Sequence, residues 1–409
     1  MEKLMKKIDN DIELMNLSLR SIAEKNNVDY SVIRNGVKGK TAEMKFENFL
    51  KLVAEVYKDA NKKRECITEF VKKCRMPLNT KKCLVYCQCA GEFVAADELI
   101  INQKESIRIK KKDKKTAELL QENAGANKVK KEKKSELEMH LELYELYNKR
   151  NYNQLKGQDL IDKLYETSYC DDMEYQVLFD TLFMAALYDV PNIHAMKPYA
   201  DKILVNLDKL EDGFIKECLQ MLCYERIAFV HLLRDELENS REICSKILDS
   251  KLDLPIIKAT AYCCIGESYF FQKEDLRLAE SCIEKGIRLL EDVVHIPKKM
   301  QKYRAFKTTL AHYYIENNMS LHKIDFANID IREEAFYECS FGDFNKGLNL
   351  YKQVEEEGKW SPFVEYSFAK VTSNRQRMKK ALLMFEQCGH VHYANLAKRT
   401  LLNERMLTK

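Results

Sequence analysis

Residues 259–292, "ATAYCCIGESYFFQKEDLRLAESCIEKGIRLLED", constrain the fold more than any other part of this chain. Two stretches with helical spacing flank a polar break. Small residues recur at Gly266, Ala279 and Gly286, with the larger Ile265, Tyr269 and Ile283 near them. Glycine inside a helix costs stability unless a neighbouring backbone must come close. The pattern therefore predicts two helices in tight antiparallel contact, with Gly266 serving packing rather than a ligand. Such a pair cannot bury both faces alone, so it must stack on copies of itself.

The pattern is that of a tetratricopeptide unit with one residue added between its halves. Weaker copies precede it, in "IAFVHLLRDELENSREICSKIL", and follow it, in "AFYECSFGDFNKGLNLYKQVEEEG" and "SFAKVTSNRQRMKKALLMFEQCG". With only 6 Pro and 12 Gly in 409 residues, the whole chain reads as all-α. The expectation is an N-terminal helix-turn-helix domain (residues 1–75), a basic helical linker region (76–135), a tetratricopeptide-like right-handed α-solenoid (136–380), and C-terminal capping and dimerisation helices (381–409).

No apolar run is long enough to span a bilayer, and the charged start "MEKLMKKIDNDIELM" is no signal peptide, so a cytoplasmic protein with no membrane contact is expected. Fourteen Cys scattered through helical sequence then read as reduced core residues. Cys83, Cys87 and Cys89 approach a metal cluster, but no second Cys or His pair follows at finger spacing, so no metal and no cofactor are expected. The eight His form no H-E-x-x-H and no Ser sits in G-x-S-x-G, so nothing suggests an enzyme.

Charge is polarised along the chain. Residues 1–134 hold 31 Lys+Arg against 20 Asp+Glu, and residues 135–409 hold 37 against 44. A basic N-terminal third suits nucleic acid; well-solvated helices would carry the same excess. Between Lys104 and Lys134 the 12 bases against 5 acids read as two solvated helix ends flanking the "NAGAN" loop, rather than a second nucleic-acid patch.

"GKT" at 39–41 evokes a phosphate loop, but the glycine such a loop needs five positions earlier is Arg34. A helix-turn-helix fits better. In "SLRSIAEKNNVDYSVIRN", Ile22 and Ala23 lie inside one helix and Ile33 inside a second. Asn27 takes a left-handed bend, and Asp29 caps the second helix. Tyr30, Ser31, Arg34 and Asn35 then face base edges of a double-stranded DNA operator, with Lys38 and Lys40 on phosphates. "FENFLKLVAEVY" and "CITEFVKKC" follow as amphipathic helices, and residues 76–100 as a helix pair broken at Gly91.

A stacked array has a concave wall suited to an extended peptide. Its inward positions are expected at Thr260, Cys263, Glu267 and Phe270, and at Tyr224 and His231 with Arg226 nearby. A short signalling peptide would lie between about Phe214 and Asn317, its charged ends fixed by Arg226, Glu267 or Arg304 and an apolar side chain pocketed near Phe270. Each of these residues also fits an ordinary surface role. Leu382, Phe385, Tyr393, Leu396 and Leu401 in the last helices either form a two-fold contact in a homodimer or cap the array.

A DNA-binding headpiece on such an array resembles the peptide-responsive regulators of Gram-positive bacteria and their phages. It is most similar to the arbitrium receptors (AimR) of temperate Bacillus phages. The resemblance lies in the N-terminal motif running into "GKTAEMKFENFLKLV", the central repeats, and "FEQCGHVHYANLAKRTL". It implies a homodimeric transcription regulator whose array binds a short secreted and re-imported peptide and alters its hold on a promoter, setting lysis against lysogeny. A second reading is a tetratricopeptide regulator, of the phosphatase or anti-activator kind, that acts by protein contact without DNA.

Overall fold

The computed structural model describes residues 1–121, 134–168, 170–271, 275–294 and 296–407. Among them every regular element is a helix. The "NAGAN" loop lies outside the described residues.

Two compact units are formed, one by residues 1–182 and 206–219, the other by residues 183–205 and 220–409. The expected boundaries at 75, 135 and 380 do not coincide with this division. The supposed linker contributes core, since Cys83, Leu84, Val85, Cys87 and Cys89 are all buried.

The first unit opens with α1 (Glu2–Leu14), α2 (Leu19–Lys25) and α3 (Tyr30–Val37). Leu4, Met5, Ile8 and Ile12 form the buried stripe of α1. Ser18 caps α2 through Ser21 N, and Asp29 caps α3 through Ser31 N at 2.7 Å. Between them Asn27 takes φ 49°, the left-handed bend its sequence position requires. Ile22, Ala23 and Ile33 are buried at the crossing. α4 (Phe46–Val56), α5 (Ala60–Lys73), α6 (Pro77–Ala90) and α7 (Phe93–Gln121) follow, with Gly91 at φ 80° separating the last two. Phe46 centres an aromatic cluster with Phe70, Tyr86 and Phe214. α8 (Glu136–Asn151) begins at a capping box made by Ser135 and Glu138. α9 (Gly157–Tyr165) completes the unit, and α10 (Met173–Asp189), α11 (Ile193–Lys209) and α12 (Phe214–Leu233) each run through the division.

The second unit is a stack of helix pairs: the rest of α12 with α13 (Leu237–Asp249), then α14 (Pro255–Ser268) with α15 (Leu276–Glu291). The long α16 (Pro297–Asn317) precedes α17 (Ile331–Phe341) with α18 (Phe344–Glu356), α19 (Pro362–Val371) with α20 (Arg375–Cys388), and finally α21 (Val391–Leu407). One packing device recurs at the seam within the pairs. A Cβ on Gly286 of α15 would lie 2.7 Å from the Ala259 carbonyl oxygen of α14. A Cβ on Gly347 of α18 would lie 3.0 Å from that of Ala335 in α17, and on α13 Ser240 Oγ donates to the Ala228 carbonyl of α12 at 2.9 Å. Gly266 is equally confined, by Ile283 and the Ala279 carbonyl, and so is structural, as its position in the repeat requires.

Candidate peptide-binding face

The face is built on α16. At 100° per residue, Lys298, Lys302, Ala305, Thr309, His312 and Glu316 fall within an arc of about 80°. Its N-terminal end is cationic. Lys302 Nζ lies 2.9 Å from the Glu225 carboxylate of α12, and Thr260 Oγ1 of α14 donates to the same carboxylate at 3.0 Å. Burial pushes the Glu225 carboxyl up, but Lys302, Lys298 and Arg226 outweigh it and hold the group down at about 2. Beside them the Arg226 Nε is buried without a hydrogen-bond partner.

Ten residues along α16, about 15 Å at the helical rise, the character changes. His312 Nδ1 donates to Glu333 of α17 at 3.1 Å, while its Nε2 is buried and unpartnered. Glu316 accepts from Tyr366 Oη at 2.9 Å and Lys370 Nζ at 2.6 Å, both on α19, and its other carboxylate oxygen is buried without a partner. Burial opposes the charging of His312, yet Glu333 prevails and raises its pKa. The face thus has two poles, each with polar atoms that protein groups leave unsatisfied. Unpaired polar atoms are costly at this depth and point to a polar ligand or water.

The expected peptide residues divide accordingly. Thr260 bonds to Glu225 in this region and Arg226 acts on the same carboxylate, while Tyr224, on α12, is half-buried. Glu267 does not face an open groove: Tyr393 of α21 covers it and donates to its carboxylate at 2.8 Å, and burial raises the Glu267 pKa. Phe270 offers no pocket, because Tyr313 stacks on it at 4.8 Å within the core. His231 is buried against Glu236 at the end of α12. Arg304 lies about 120° around α16 from the stripe's centre and donates to the Ile329 carbonyl at 3.1 Å.

The expected dimer residues need the same correction. Phe385, Tyr393 and Leu396 are buried within their own unit because α21 folds back on the middle repeats. Asp235, at φ 64° in the turn after α12, accepts from His392 Nδ1 at 2.7 Å and Asn395 Nδ2 at 2.8 Å, and Arg399 donates to the Phe271 carbonyl at 2.8 Å. Leu382 and Leu401 are half-buried, and Leu383 and Leu402 are exposed.

In the first unit Tyr30, Ser31, Arg34, Lys38 and Lys40 are exposed and Asn35 is half-buried. Several are already engaged. Lys38 bonds to Asp9 at 2.8 Å and Glu13 at 3.2 Å on α1, so it is not an unencumbered phosphate contact. Arg20 sits over the Tyr30 ring at 5.7 Å, and Ser31 completes the Asp29 cap.

Sequence reasoning missed one cluster in this unit. Glu136, His140 and Asp172 converge with a geometry that a metal ion would accept, but Lys81 Nζ already lies among them, 2.5 Å from Glu136, 3.2 Å from Asp172 and 3.0 Å from Glu174. The thiols of Cys83 and Cys87 are buried and pushed up by that burial. Among the described residues no helix is long and apolar enough to cross a membrane.

Stacked helix pairs define a helical-repeat protein of the solenoid class. The chain belongs to the AimR transcriptional regulator-like family, whose model matches residues 118–403. It is 25% identical over 256 residues to an uncharacterized protein of Bacillus anthracis, an alignment spanning 61% of this chain and 93% of that one. Its fold is similar to a solved structure of phAimR with a ligand, at TM-score 0.68 and 17% identity, covering 88% of this chain and 97% of that chain. A selenomethionine phAimR structure matches at TM-score 0.63 and 16% identity, covering 98% and 97%.

Proposed function

We propose that this chain is a cytoplasmic, peptide-responsive transcriptional regulator of the arbitrium kind. In this reading a short peptide binds the polar face of α16 and alters the hold of the N-terminal helices on a duplex operator, setting lysis against lysogeny. The observation that carries it is the buried, unpartnered Arg226 Nε next in sequence to Glu225, the carboxylate that Lys302 and Thr260 engage, in a chain of this family. Arg226 and Lys302 suit the carboxylate end of a peptide. The two poles, about 15 Å apart, match about five extended residues. On α3, Arg34 and Asn35 supply base contacts with Tyr30 and Ser31 beside them, and Lys40 a phosphate contact. A homodimer would use the exposed Leu383 and Leu402 with the half-buried Leu382 and Leu401.

Isothermal titration of peptides from any small secreted precursor encoded beside the gene, with and without a duplex from its upstream region, tests this. Binding lost in Arg226→Ala and weakened or strengthened by the duplex supports the reading; equal affinity in both conditions removes the coupling, which must be reciprocal. The second reading, protein contact without DNA, draws on the internal engagement of Lys38 and Arg20. It predicts no duplex binding at any salt concentration.

A further inference from the structure

We propose that His312 contacts the ligand, its Nε2–H donating to a main-chain carbonyl or carboxylate oxygen of the bound peptide while Nδ1–H stays on Glu333. This rests on the peptide reading above and adds a second contact point, ten residues along α16 from Lys302.

The geometry leaves little else for this side chain. His312 is 7% exposed, and its ring lies 5.7 Å from Phe336, which fixes the imidazole plane. A carboxylate only accepts hydrogen bonds, so Nδ1 facing Glu333 must carry a proton. The charged groups around the ring are Glu333 on α17, Glu316 on α16, Lys370 on α19 and Glu267 on α14; the three carboxylates favour the imidazolium and Lys370 opposes it. In the imidazolium form that these carboxylates favour, Nε2 is a charged donor buried without an acceptor. A main-chain donor would be satisfied by its own helix, whereas this side-chain donor has no acceptor within hydrogen-bond reach in the protein and is open to a ligand oxygen or a water that a ligand would displace.

The position also gives occupancy a route out of the site. His312 joins α16 to α17 through Glu333, and Glu316 joins α16 to α19 through Tyr366 and Lys370. A ligand oxygen on Nε2 strengthens the imidazolium and with it the Glu333 bond, drawing the two helices together.

The probe is the tightest binder recovered from a displayed random hexapeptide library on the full-length chain, resynthesised. His312→Phe is expected to weaken it about tenfold or more, as for loss of a hydrogen bond to a charged group, while His312→Gln, which keeps a donor, retains most of the affinity. Wild-type affinity should fall as pH rises through the raised pKa of His312, and the Gln variant should lack that fall. In chain labelled with ¹⁵N-histidine, the Nε2–H signal should become protected from solvent exchange on saturation. A binder that depends on Arg226 but is indifferent to His312→Phe, with Nε2–H unprotected, overturns this contact alone. Failure to recover any binder overturns the peptide reading and this inference together.

Discussion

Tyr393 and Glu267, 126 residues apart, share a 2.8 Å hydrogen bond that ties the last helix of the array to its best-formed repeat. Both side chains are buried, and Phe271, Phe363 and Phe385 surround the phenol ring. Tyr393→Phe leaves the ring contacts and removes the donor. It is expected to destabilise the second unit by about 1–3 kcal/mol, the cost of an unsatisfied buried acceptor. Urea denaturation followed by tyrosine and tryptophan fluorescence measures it; an unchanged midpoint refutes the tie.

The glycine seam predicts opposite outcomes for one kind of substitution. Gly286→Ala pushes a methyl group into the Ala259 carbonyl, backbone against backbone, and should cost about 1–3 kcal/mol by overpacking. Gly36→Ala meets only the flexible tip of Met44 and gains helix propensity, so its melting temperature should stay within about 2 °C of wild type. Thermal melts of the two variants side by side decide the matter.

Acid should weaken the C-terminal cap through His390. Burial holds its pKa at about 4, against 6.5 for an ordinary histidine. The folded state therefore binds fewer protons than the unfolded chain between those values. Its contribution is fully present above pH 6.5 and is lost as pH falls towards 4, by on the order of 3 kcal/mol. His390→Phe, a ring of similar shape beside Phe363 and Phe385, should flatten the stability profile over that window. Parallel profiles for variant and wild type would exclude His390 as the source.

On DNA, Arg34→Ala should lower specific operator affinity more than tenfold, since a bidentate base contact is worth about 1–3 kcal/mol. Lys40→Ala should instead weaken all sequences alike and reduce the salt slope by about one. Fluorescence anisotropy over a salt series separates the two effects, and identical slopes for Lys40→Ala and wild type would remove Lys40 from the interface.

Assembly is read by sedimentation velocity. Leu402→Asp is expected to give a folded monomer, because Leu402 is 53% exposed, whereas Leu396→Asp should unfold the cap, because Leu396 is buried. A folded dimer in Leu402→Asp places the contact on another surface.

What the sequence revealed was local. Asn27, Asp29 and Gly91 mark turns by their own backbone preferences, and Gly266, Ala279 and Gly286 mark a seam by size. What it concealed depends on distant partners. Phe270 reads as a pocket until Tyr313 is stacked on it, and Tyr393 reads as an outward face until α21 returns to α14. Lys38 reads as a free cation until Asp9 and Glu13 on α1 reach it. Periodicity places a residue on a side of its helix; it does not say which later helix will cover that side.

Gly286 meets Ala259 at the seam, whereas Lys298, Lys302 and His312 lie on the polar stripe, so the close-packed seam of the scaffold and the proposed ligand face are built from different residues. Lineages descended from such a receptor are able to drift apart in signal vocabulary one side chain at a time, each dialect keeping the same skeleton.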